Sequence, residues 1–164
     1  QQRLDMLTLA LQHSPQHKYF TIDLCEINRE GPSYMVDTLR YFRKQFGKQQ
    51  SLNLLLGEDA FVQLNQWHQW QSIINLAHLI VMTRPAHNPS WPTAMKAYFQ
   101  NHVQSDVNQL SLKPSGYIYQ IPITLNISST NIRQQLSDQA SLEKLCPNPV
   151  ARYIEDHQLY SVTS

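Results

Sequence analysis

Leu4, Leu7 and Leu11 recur at helical spacing, with Met6 and Ala10 widening the stripe, and predict a first helix over 3–11 closed by Pro15. The run Tyr19-Phe20-Thr21-Ile22-Asp23-Leu24 is rich in aromatic and β-branched residues and reads as a short strand. Residues 28–32, which include Gly31-Pro32, form a loop. Ser33 then stands where a helix cap belongs, Asp37 sits in the first turn, and Val36, Leu39, Phe42 and Phe46 make an apolar stripe that ends at Gly47. The apolar run 51–56, bounded by Gly57, has the pattern of a strand buried on both faces. Trp67, Trp70, Ile73, Ile74 and Ala77 share one helical face, and His78-Leu79-Ile80-Val81-Met82 is a second continuous apolar strand stopped by Arg84-Pro85. A helix is expected over 92–103, with Ser90 near its cap and Pro92 in its first turn. A strand over 117–121 follows the turn Lys113-Pro114-Ser115-Gly116, and two helices close the chain, one after Ser128 and one over 149–157.

Strands alternating with helices indicate βαβ units and a mainly parallel sheet, so the expected class is α/β in three layers. The 164 residues suit a single domain, and 41% hydrophobic content is enough for one core. No stretch approaches the roughly 18 apolar residues of a membrane span. Thirteen basic residues against twelve acidic ones, a net charge of +1, disfavour a nucleic-acid partner. Cys25 and Cys146 have no C-x-x-C companion, which suggests neither a disulfide framework nor a cysteine zinc site and makes a reducing cytoplasm the default. Only four glycines are present, too few for a glycine-rich phosphate loop, and the chain opens at Gln1, directly in a helical pattern.

In open α/β sheets ligands bind outside the carboxyl ends of the strands, so the segments after each strand are where chemistry is sought. Gly57-Glu58-Asp59 follows the first buried strand: the glycine admits a close ligand and the aspartate can accept from ribose hydroxyls, or the segment is a plain turn with a capping aspartate. Thr83-Arg84-Pro85 follows the second and offers a guanidinium to a phosphate or to solvent. Ser128, Ser129 and Thr130 open a helix with Arg133 one turn along, either an anion cradle suited to phosphate or an over-provided cap. Trp67 and Trp70 lie one helical turn apart, one of them a candidate stacking face at a cleft. The histidines show no metal pattern, because Pro15 breaks the helix that would bring His13 and His17 together. From the residues alone the reading is an α/β domain that binds a nucleotide or phosphate.

Taken in order, these segments resemble the bacterial nicotinate mononucleotide adenylyltransferase family. The likeness runs through Arg3-Leu4-Asp5-Met6-Leu7, Gly31-Pro32-Ser33-Tyr34 with Asp37-Thr38-Leu39, Gly57-Glu58-Asp59, Trp67 and Ala77-His78-Leu79-Ile80-Val81 into Arg84-Pro85. It continues through Ile127-Ser128-Ser129-Thr130-Asn131-Ile132-Arg133 to Pro149-Val150, Tyr153-Ile154 and Leu159-Tyr160. The resemblance implies a Rossmann-like nucleotidylyltransferase fold and magnesium-assisted transfer of the adenylyl group of ATP to nicotinate mononucleotide, with release of pyrophosphate, in NAD biosynthesis. It implies ATP phosphates at Ser128, Ser129, Thr130 and Arg133, the nucleotide ribose at Gly57 and Asp59, and the pyridine ring on Trp67. The ring's carboxylate would meet the backbone at Met35 and His68, beside Tyr34, with Arg84 a further contact.

Met35 and His68 depart from the threonine and the aromatic residue that the family tends to show. The family's H-x-G-H signature and first strand do not occur in the sequence, so a piece of a longer enzyme is expected, with its amino-terminal strands missing. The alternatives are a nucleotide-binding fragment without turnover, or an adenylyltransferase acting on nicotinamide mononucleotide, phosphopantetheine or FMN. Oligomeric state stays open, a homo-oligomer included.

Overall fold

The computed structural model describes residues 1–84, 91–124, 132, 134 and 145–160, which fall into two compact units, 24–125 and residues 1–23 with 126–164. In the first unit, β1 (Asn53–Gly57), β2 (His78–Thr83), β3 (Val103–Gln104) and β4 (Ile118–Pro122) form an all-parallel sheet in the order β1-β2-β4-β3. Leu54 pairs with Leu79 and Leu79 with Ile118, so one row of apolar side chains runs across three strands. Helices α2 (Met35–Phe46), α3 (Glu58–Phe61), α4 (Trp70–Leu76) and α5 (Thr93–Phe99) flank it. The core is built on Val36, Leu56, Phe61, Ile73, Ile74, Leu79, Met95 and Phe99, all buried.

β2 is buried along 78–81, as its unbroken apolar run requires. β1 differs from expectation: Leu55 is 60% exposed, because among the described residues β1 has β2 as its single neighbour and only its Leu54 and Leu56 side chains turn to the core. The expected strand over 19–24 is absent. A 3-10 turn at His17–Tyr19 leads through an extended Phe20 into a segment that pairs with no described strand, and Tyr19, Phe20 and Leu24 are exposed. β propensity reports fit to a paired, half-buried surface, and that surface is not supplied here.

Three helices also differ. Ser33 does not cap α2, because its hydroxyl is engaged by Arg29 and the Glu26 carbonyl, and Tyr34 occupies the cap position. Gly47 does end α2, at φ +86, where a side chain would be strained. The helix expected through both Trp67 and Trp70 is broken: Leu64–Gln66 is a 3-10 turn, Trp67 is extended and Gln69 is left-handed at φ 51, so α4 begins only at Trp70. α5 stops at Phe99 and is preceded by Pro92 at its cap position, because Val103 and Gln104 are taken by ladder bonds to β4. Ser90 lies outside the described residues.

At the turn before β4 two side chains hold backbone that the sheet does not. Buried His78 donates from Nε2 to the Lys113 carbonyl at 2.9 Å and accepts the Tyr117 N–H on Nδ1 at 3.1 Å. Arg43 of α2 donates to the carbonyls of Leu76 (2.7 Å), Gln50 and Pro114. Burial lowers the His78 pKa; the Lys113 bond opposes this and the Arg43 charge adds to it.

In the other unit α1 (Gln2–Gln12) lies against α6 (Asn148–Asp156), whose Val150, Ala151 and Ile154 pack on Met6, Leu9, Ala10 and Ile132. The contact face of α1 is therefore rotated from the expected Leu4-Leu7-Leu11 stripe, and Leu7 is left 48% exposed. Tyr153 donates to Asp5 at 2.9 Å across this pair. The helix expected after Ser128 lies outside the described residues, apart from Ile132 and Gln134, which are helical. Among the described residues no helix is long and apolar enough to cross a membrane.

Candidate active site

A cleft of about 380 Å³ is lined by Glu26, Ser33, Tyr34, Met35, Gln66, Trp67 and His68, a volume within the roughly 300–1,000 Å³ of small-molecule sites. Two chain segments build it. The first is the loop that enters α2, which delivers Tyr34 as cap residue and Met35 as first helical residue. Thr38 N–H and Asp37 N–H bond back to the Tyr34 carbonyl, whereas the Met35 N–H lies at the helix start, where no carbonyl of the same helix can reach it. That donor carries the partial positive charge of the helix end.

The second segment is the connection that leaves β1. The 3-10 turn Leu64–Gln66 sets Trp67 in extended geometry, and the left-handed Gln69 turns the chain into α4, so that Trp67 and His68 face the cleft while Trp70 does not. Trp70 instead packs edge-on against Tyr98 (5.1 Å) and Phe99 (5.6 Å). The His68 ring lies 4.4 Å from the Tyr34 ring and joins the two segments. Arg40 donates to Gln69 Oε1, and Gln69 Nε2 lies 3.1 Å from His68 Nε2, which ties the His68 ring to α2. Asp37 holds Arg40 in turn at 2.9 Å.

Four of the expected mononucleotide contacts, Tyr34, Met35, Trp67 and His68, therefore share one cleft. Gly57, Asp59 and Arg84 are not on its lining; they lie at the carboxyl ends of β1 and β2, where Gly57 pairs with Met82, two residues before Arg84. Gly57 has an ordinary φ of −67 and a Cβ built there meets nothing within 4 Å, so the protein's own packing does not require glycine. No side chain caps α3, which sets aside the capping role for the exposed Asp59. Ser128, Ser129, Thr130 and Arg133 lie outside the described residues.

Sequence reasoning missed Glu26, Ser33 and Gln66 on the lining and Arg29 and Thr38 behind it. Thr38 is 6% exposed; its hydroxyl donates to Glu26 Oε1 at 2.6 Å and accepts from Arg29 Nη2 at 3.1 Å. Arg29 also donates to Ser33 Oγ at 2.9 Å and to the Tyr34 carbonyl at 3.4 Å. The available signal was a lone threonine on the buried face of an amphipathic helix, a position that asks for a polar partner. Among the described residues no group of three His, Cys, Asp or Glu could hold a metal ion.

A parallel sheet with a cleft built by the connections around it defines an α/β protein of the open-sheet class, and residues 1–135 match the cytidylyltransferase-like family. A protein of Marinomonas sp. (strain MWYL1) with the name probable nicotinate-nucleotide adenylyltransferase is 38% identical over 161 residues, covering 98% of this chain and 72% of that protein. One with the same name from Dechloromonas aromatica (strain RCB) is 40% identical over 164 residues, covering 98% and 74%. The chain belongs to the nicotinate-nucleotide adenylyltransferase family. The fold is shared with the Plasmodium falciparum nicotinic acid mononucleotide adenylyltransferase solved with NaAD, at TM-score 0.66 and 17% identity over 97% of this chain and 73% of that one.

Proposed function

We propose that the cleft takes nicotinate mononucleotide and presents its phosphate to ATP for adenylyl transfer, the NAD-biosynthetic reaction of the family. The reading rests above all on the convergence of Tyr34, Met35, Trp67 and His68 on one cleft from two separate chain segments. Trp67 stacks on the pyridine ring. The ring's carboxylate accepts from the backbone N–H of Met35, at the positive end of α2, and from that of His68, contacts that do not depend on which side chain either residue carries. Gly57 and Asp59 receive the ribose, and Arg84 supplies a positive charge beside it.

In the reaction an oxygen of the mononucleotide phosphate attacks the α-phosphorus of ATP, the bond to the bridging oxygen breaks, and pyrophosphate leaves. Such a transfer needs alignment and charge neutralisation more than a proton donor, and the residues of the cleft are of the kind that bind and orient. Ser128, Ser129, Thr130 and Arg133 are assigned to the ATP phosphates. Magnesium bound with ATP would neutralise part of the charge on the phosphates that Ser128, Ser129, Thr130 and Arg133 hold.

Isothermal titration with nicotinate and nicotinamide mononucleotides, with pyrophosphate release measured in the presence of ATP, tests this. The acid is expected to bind more tightly than the amide, and Trp67→Ala to weaken both. Equal affinity for acid and amide, or binding unaffected by Trp67→Ala, would refute it.

A further inference from the structure

Three residues of the cleft wall, Glu26, Ser33 and Tyr34, are tied together by two residues that do not line it. Thr38 takes Arg29 on its hydroxyl oxygen and gives its proton to Glu26; Arg29 spends its other nitrogen on Ser33 and the Tyr34 carbonyl. Ser33 returns a bond of 3.4 Å to the Glu26 carbonyl, which closes the circuit. The loop it spans contains Gly31 at φ +83 and otherwise exposed residues such as Ile27, 65% exposed, so packing alone does not hold the loop in place. Thr38 is the one buried member, one turn into α2, and its position is set by the core contacts of Val36 and Leu39 on either side.

We propose that Thr38 and Arg29 are positioning residues for the mononucleotide: they transmit the rigidity of α2 to the 26–34 loop and so set the placement of Tyr34 and the Met35 N–H in the cleft. The hydroxyl is essential because it must accept and donate at once, bridging a guanidinium and a carboxylate that would otherwise each be drawn to solvent. Valine has the same shape and can do neither. Arg29 is essential as a fork, since two of its nitrogens hold two different parts of the loop.

The inference rests on the mononucleotide reading of the cleft, and one titration series separates the two. Nicotinate mononucleotide is titrated calorimetrically into the unaltered chain, Thr38→Val, Thr38→Ser and Arg29→Met, and the thermal midpoint of each is recorded. Thr38→Val and Arg29→Met are expected to bind at least 10-fold more weakly, while Thr38→Ser, which restores the hydroxyl, returns to within about threefold. If the unaltered chain does not bind, the reading of the cleft fails and this inference with it. If it binds and Thr38→Val and Arg29→Met bind equally well, the inference alone is overturned. It is overturned also if Thr38→Ser is as weak as Thr38→Val, or if affinity merely tracks the thermal midpoint across the series, because the role would then be bulk packing.

Discussion

Replacing His78 with phenylalanine tests whether the turn before β4 is held by side-chain chemistry. His78 is fully buried, its two ring nitrogens serve one backbone carbonyl and one backbone N–H, and its ring stacks on Tyr117 at 5.5 Å with the planes inclined by 19°. Phenylalanine keeps the ring and the stacking and removes both bonds. Each backbone group left unpaired costs about 1–3 kcal/mol, so His78→Phe should lose about 2–6 kcal/mol of the 5–15 typical for a whole domain. The loss should depend on pH. Burial lowers the His78 pKa below its ordinary 6.5, since a proton on Nδ1 would face the Tyr117 N–H and the charge would be desolvated. In the window below pH 6.5 the unfolded chain then binds the proton that the folded chain refuses, so the His78 contribution is complete above 6.5 and declines as pH falls toward the folded pKa. Urea unfolding of both proteins from pH 8 to pH 5.5 measures this directly. The gap should be widest at pH 8 and narrow in acid. A gap under 1 kcal/mol at pH 8, or one that stays constant or widens in acid, refutes the reasoning.

Gly57→Ala should leave the fold intact or stabilise it by about 0.4–1 kcal/mol, as its φ suits alanine and the added Cβ meets open space, while calorimetry shows weaker nucleotide binding because the space is needed by the ligand. Trp67→Phe should bind nicotinate mononucleotide more tightly than Trp67→Leu by about 0.5–1.5 kcal/mol, the worth of an aromatic pair beyond its area, and equal dissociation constants would remove the stacking role. Arg43→Lys should lower stability by about 1.5–3 kcal/mol in urea unfolding, the scale of a charged hydrogen bond, because one ammonium cannot span the carbonyls of Leu76, Gln50 and Pro114. Cys146 should alkylate more slowly than free cysteine at pH 8, since burial and then the Glu155 charge raise its pKa, and a faster rate would contradict that placement.

Periodicity alone determined the α/β class, the presence of β1 and β2 and the location of four helices, because an apolar run of strand length bounded by turn residues and a helix buried on one face leave recognisable apolar patterns. Trp67 was legible as an indole able to face a cleft, whereas Tyr34, Met35 and His68 came forward only through the family resemblance. Only the tertiary structure decided that these four share a cleft, that Trp67 and Trp70 part company at a left-handed Gln69, and that Thr38 and Arg29 stand behind the wall. It decided too that 19–24 forms no ladder among the described residues and that Leu55 is exposed. The reason is common to all of these. Local spacing specifies which face of an element is apolar, whereas pairing of a strand edge, the path of a turn and a hydrogen bond between residues 9 or 12 positions apart depend on neighbours brought in by the rest of the chain.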